Sequence, residues 1–123
     1  MSLGLLRILA VGLSLSLMIG EAIRSWGAGR PVMFWLDDFL MGGLLLAAAI
    51  LIARPTRLRS HLFVAGWGVC AGMLYGSFFG KVFDPANADS GNINLGILTW
   101  LIGLAFLVSL VGLWGSINWK PDA

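Results

Sequence analysis

"GEAIRSWGAGRPVMFWLDDF", residues 20–39, joins two apolar runs through a short turn and sets Glu21, Asp37 and Asp38 close to both of them. In the middle, "GAGRP" combines glycines, which accept turn backbone, with a proline that a helix interior rejects. Upstream the chain is apolar back to Leu3, and downstream it is apolar as far as Ala53. Each run is near the ~20 residues a helix needs to cross ~30 Å of hydrocarbon. The stretch therefore reads as the turn of a transmembrane hairpin that carries carboxylates on both arms.

The rest of the chain supports that solvent. Of 123 residues, 59% are hydrophobic and 11% charged, with a mean hydropathy of +0.90, whereas a soluble domain carries roughly 25% charged residues. Eight basic and six acidic side chains are too few to cover the apolar surface of a water-soluble fold of this length. Two further apolar segments follow, separated by "RPTRLRSH" and "KVFDPANADSGN", each with proline and charge where a helix should stop. The expectation is one transmembrane domain over residues 1–123, an all-α integral membrane four-helix bundle of two antiparallel hairpins. Its approximate helices are 3–26, 31–53, 62–80 and 93–117. Arg7, the apolar run from Ile8 to Ile19 and the small residues Gly20 and Ala22 also have the layout of a signal peptide. The four-helix reading keeps this segment as the first helix.

Orientation follows from the basic residues. Arg7, Arg54, Arg57, Arg59 and Lys120 fall at one end, and Arg24, Arg30 and Lys81 at the other. The positive-inside tendency then predicts cytoplasmic N and C termini and a multi-pass protein of a bacterial-type inner membrane. With Asp122 counted at the first end and Glu21, Asp37, Asp38, Asp84 and Asp89 at the second, the two ends carry about +4 and −2. Arg54, Arg57 and Arg59 are candidates for lipid head-group contact or for fixing topology.

Depth sharpens the carboxylate question. Glu21 and Asp37 each lie eight residues from Gly29, so antiparallel helices place them at similar depth. Arg24 follows Glu21 by one turn, Arg30 is in the loop, and Lys81 closes the third segment at the same surface. Ionisable groups in lipid usually face the bundle interior and pair. A polar intramembrane cluster of Glu21, Arg24, Asp37, Asp38 and Lys81, structural or transporting, is therefore expected. Asp37 and Asp38 point about 100° apart on a helix and cannot both face one partner.

Gly68, Gly72, Gly76 and Gly80 recur at strict four-residue spacing. Small residues in such a row let helix backbones approach closely, so they form a candidate glycine zipper, packed inside the bundle or against another subunit. Gly12, Ser16 and Gly20 repeat the pattern more weakly.

Catalytic inventory is sparse. His61 and Cys70 are single, no paired metal-ligand spacing occurs, and nucleotide-binding or nucleophile-elbow motifs are absent. No cofactor or metal is supported, nothing points to nucleic acid, and enzymatic activity is not expected. The first reading is a non-enzymatic polytopic protein, a subunit or stabilising partner of a larger membrane assembly. The alternative is a small oligomeric transporter or channel for protons or cations that uses the acidic cluster. Partners are the bilayer and a second copy or other membrane subunits.

Overall fold

A helix begins where its first backbone N–H groups find acceptors, and three of the four long helices supply one from the preceding side chain. Ser2 accepts from Leu5 N, Thr56 from Arg59 N, and Asn94 from Gly96 N and Ile97 N. The computed structural model describes residues 1–120. They form α1 (Leu3–Ser25), α2 (Val32–Leu51), α3 (Arg57–Phe83) and α4 (Leu95–Asn118), with a 3-10 turn at Pro85–Asn87 and no strand among the described residues. All four helices are long and apolar enough to cross a membrane. The chain is an all-α, multi-pass membrane protein. Asp122, counted above in the charge balance, lies outside the described residues.

Helix α3 starts at Arg57 and ends at Phe83, longer at both ends than residues 62–80. The Thr56 cap allows helix geometry to begin in the charged segment before the apolar run starts. The other helix ends fall within two residues of the expected ones. Between α1 and α2 the chain reverses through Gly27 and Gly29, at φ 67° and 72°, the left-handed region that glycine enters without a Cβ penalty.

The helices pack in ring order, α1 on α2, α2 on α3, α3 on α4, and α4 back on α1. Leu6, Ala10, Leu13 and Leu17 of α1 face Met41, Leu45 and Ala49 of α2, Phe63, Trp67, Cys70 and Leu74 of α3, and Leu98 and Ile102 of α4 in a shared core. Lipid offers no hydrophobic drive between helices, so close backbone approach matters. One glycine or more supplies it at each contact. A Cβ on Gly42 would sit 3.2 Å from Ser14 O, and one on Gly66 3.2 Å from Leu45 Cα. On α4, Gly103 receives the Phe78 ring, Gly112 the Trp67 ring and Gly115 the Leu6 side chain.

The expected zipper row lies elsewhere. Gly72, Gly76 and Gly80 are exposed with open space beyond them, and only Gly68 meets a neighbouring helix, at Leu113. Within this chain the row is an outer face of α3, because the glycines in actual contact are set by where each partner's bulk falls and not by a common spacing. At the end that carries the termini, Arg7 Nε donates to Ala49 O at 2.8 Å, and Arg59 Nη1 to Leu51 O and Arg54 O. Both arginines thus meet carbonyls at the end of α2, where cations are favoured. Arg54 and Arg57 are exposed.

Candidate functional site

At the opposite end, the last turns of α1 bury Glu21, Arg24 and Ser25. Glu21 is 2% exposed, and both of its oxygens are engaged. Oε2 accepts from Arg24 Nη1 at 3.2 Å, and Oε1 accepts from Ser25 Oγ at 2.7 Å and from Arg30 Nη1. Arg30 reaches in from the α1–α2 loop, its carbonyl held by Trp35 Nε1 at 3.0 Å. Its Nε donates to Asp89 Oδ2 at 2.6 Å. A charge taken from water needs both a partner and filled hydrogen bonds, and Glu21 has both.

The α3–α4 loop closes over this group. Arg24 Nη2 donates to Asp89 O, Asn92 N to Arg24 O at 2.9 Å, and Asn92 Nδ2 to Ile23 O and Trp26 O. The last carbonyls of α1, which no further helical turn can satisfy, are thus capped by a loop 65 or more residues away in sequence. Gly91 allows the approach: it takes φ 60°, and a Cβ there would strike the Arg24 carbonyl. Arg30 beside Asp89 holds that carboxyl below the usual aspartate range. Asp89 and Asn92 were not among the expected site residues, and the loop that carries them is docked onto α1.

The two aspartates of α2 part company. Asp38 is 9% exposed and turns inward against Glu21. Asp37 is exposed, and its Oδ1 accepts from the Asp38 backbone N–H at 2.8 Å. Asp38 lies six residues after Val32, about 9 Å along the helix from its start. No basic side chain forms an ion pair with either acid of α2 among the described residues; the ion pairs join Arg24 to Glu21 and Arg30 to Glu21 and Asp89. Lys81 is buried near the group, but its Nζ donates to Ser77 Oγ at 2.8 Å and Ser77 O at 3.4 Å. Of the five expected cluster members, Glu21, Arg24 and Asp38 meet, Lys81 stands beside them, and Asp37 faces away. Arg30, seen from sequence only as a possible counter-ion, is a full member.

From Asp38 a groove of about 540 Å³ runs between α1 and α4 toward the other end of the bundle. Gly12, Ser16 and Gly20 line one wall, Leu101, Ala105 and Val108 the other, and Glu21, Arg24 and Asp38 close the polar end. The weaker small-residue row of α1 therefore faces a space and not a helix: a Cβ on Gly12 or Gly20 would meet nothing within 4 Å. Arg24 Nε is buried without a hydrogen-bond acceptor among the described residues.

Such an arrangement, one acid without a basic partner at the end of an apolar cleft, is characteristic of small-molecule or ion sites in membranes. The chain is 34% identical over 102 residues, 80% of its length, to the drug efflux pump JefA of Mycobacterium tuberculosis, in strains CDC 1551 / Oshkosh and ATCC 25618 / H37Rv. It spans about a fifth of the length of these curated relatives, 20% of each. No protein-family model matches the chain, and no solved structure does.

Proposed function

We propose that the chain is a non-enzymatic transport module of a bacterial-type inner membrane, working as an oligomer or with other membrane subunits. The observation that carries this reading is Asp38, buried at the head of the α1–α4 groove with no cation in contact. Such a carboxylate accepts a proton or a cation, and intramembrane acids of this kind mark ion and substrate pathways. Similarity to one segment of a pump named for drug efflux favours the same class. Four helices are few for an alternating-access path, so further copies or subunits complete it. Cytoplasmic termini, with the acids toward the outer leaflet, agree with the distribution of arginines.

In this mechanism Glu21, Arg24, Arg30 and Asp89 are a fixed, mutually neutralised frame. Asp38 is the exchangeable group. Lys81, anchored on Ser77, is a resident cation able to compensate Asp38 when the groove is empty. Reconstituted protein should carry a proton or monovalent-cation flux that Asp38→Asn alters and Asp37→Asn leaves unchanged, at equal yield. Absence of flux, or equal flux in both variants, rejects the reading.

The outward glycine face of α3 favours a second reading, a stabilising subunit whose partner helix covers Gly72 and Gly76. Mild-detergent extraction from the native membrane separates the two. Other polypeptides at fixed stoichiometry, with no flux from the isolated chain, support the subunit role.

A further inference from the structure

We infer that the outward face of α2 docks a transmembrane helix of another polypeptide, one that brings a lysine or arginine to Asp37. Such a partner is the membrane subunit that the reading above calls for, and the inference rests on that part of it. Helix α2 packs on α1 and α3, and its opposite side carries a stripe of Met33, Asp37, Leu40, Leu44, Ala47 and Leu51. Steps of four and three alternate along it and average the ~3.6 residues of a helical turn, so all six side chains share one side. None of the six is buried, and all but Leu44 are exposed. Five are apolar and one is a carboxylate.

Depth sets the requirement. Asp37 lies five residues after Val32 and fourteen before Leu51, roughly 7.5 Å and 21 Å along the axis. The 20 residues of α2 match a hydrocarbon core of ~30 Å, and Arg7 and Arg59 mark its inner edge by meeting the carbonyls of Ala49, Leu51 and Arg54. Asp37 is thus inside the outer leaflet, and so short a side chain cannot carry its charge to the interface as lysine or arginine does. Asp38 N donates to its Oδ1 at 2.8 Å, which leaves most of a carboxylate's acceptor sites open. No basic group pairs with it among the described residues. Ionisable side chains in lipid pair with one another or line a water-filled cavity, and Asp37 does not line the α1–α4 groove.

A second copy inserted the same way has no cation to offer. At that end Arg24 and Arg30 are committed to Glu21 and Asp89, and Lys81 is buried on Ser77. Across a two-fold axis its Asp37 would instead meet the same residue, like charge against like. The complementary surface is therefore a different polypeptide with a base at matching depth. The matching segment is 20% of each pump named above, so there too most of the chain lies outside this unit and is available to cover it.

Photo-cross-linking in native membranes tests this, with p-benzoylphenylalanine placed in the full chain at Leu40, one turn from Asp37 on the stripe, or at Leu107, on the exposed side of α4. Illumination should give an adduct of one fixed mass from Leu40 and none from Leu107. Sequencing of the cross-linked peptide should place a lysine or arginine within about one helical turn of the attachment point, in an apolar segment of another polypeptide. Asp37→Asn should cut the adduct at least ~10-fold, as expected for losing a charged partner. Asp37→Glu should keep it, with the thermal unfolding profile unchanged in both variants. Asp37→Lys should abolish the adduct, and exchanging the partner's base for aspartate should restore it. An adduct with a second copy of this chain, a captured segment without a base, or an adduct indifferent to Asp37→Asn overturns the inference. Equal adducts from Leu40 and Leu107, or none from Leu40, overturn it as well. Asp38-dependent flux from the isolated chain, without a Leu40 adduct, removes this partner and leaves the transport reading standing. An Asp37-dependent adduct from a chain that carries no flux supports this partner and rejects transport.

Discussion

Helix α4 has two neighbours and treats them differently. Toward α3 it is sealed, with the Trp67 ring on Gly112 and the Phe78 ring on Gly103. Toward α1 it touches near one end, where Gly115 receives Leu6, and then parts to leave the groove. At the far end the α3–α4 loop ties α1 down again through Asn92 and Asp89. One seam is closed by aromatic bulk set into glycine gaps, and the other is bracketed at its ends and open between. Glycine alone therefore does not make a contact: on α4 it receives a ring, and on α1 it borders a cavity.

The largest expected effect comes from the polar bracket of the open seam. Glu21→Gln leaves Arg24 and Arg30 buried without their carboxylate, and breaking a buried pair on one side costs about 3–5 kcal/mol. Denaturant titration in detergent should show a loss of that size, and a loss below ~1 kcal/mol would mean the bracket holds nothing. The next contrast compares the two seams directly. Gly112→Leu drives a side chain into the Trp67 ring and should cost about 1–3 kcal/mol or more. Gly12→Leu, on the open wall, should stay within about 0.5 kcal/mol, and equal losses in both would erase the distinction.

Smaller effects report on the loop. Gly91→Ala forces a Cβ into a left-handed residue against the Arg24 carbonyl, and a loss of about 1 kcal/mol or more is expected in the same titration. The smallest effect is acid dependence. Arg30 lowers the Asp89 pKa in the folded chain, so this pair adds stability above the ordinary aspartate pKa of about 3.9. That contribution is lost as pH falls through the depressed folded value. Unfolding followed from about pH 6 to about pH 3 should therefore be less acid-sensitive in Asp89→Asn than in wild type, and identical profiles would remove the pair from the account.

The sequence makes four helices legible because length and apolarity are all that spanning requires, and the shared depth of Glu21 and the α2 acids follows from counting around Gly29. Arg24 is legible too, one turn from Glu21. The remaining details depend on which face meets which neighbour. Four-residue spacing shows that Gly68, Gly72, Gly76 and Gly80 share a side of α3 but says nothing about what lies opposite. Gly42, Gly66, Gly103, Gly112 and Gly115 have no common period, because each answers a bulky group on another helix. Lys81 was expected to pair with a carboxylate, yet Ser77 lies one turn away on its own helix. Asp89 and Asn92 find α1 across more than sixty residues, a pairing that no local pattern announces.

The clasp of the α3–α4 loop on α1 also sets an order of assembly in the membrane. Arg24 and Asp89 are 65 residues apart, so at a synthesis rate of ~5–20 residues per second the first hairpin waits several seconds for its cover. During that interval Glu21 has to be neutralised by groups already made, and Arg24, Ser25 and Arg30 all emerge within nine residues of it. The hairpin thus carries its own counter-charges through insertion. The later loop finds an acid already paired, and its Asp89 then balances the second arginine.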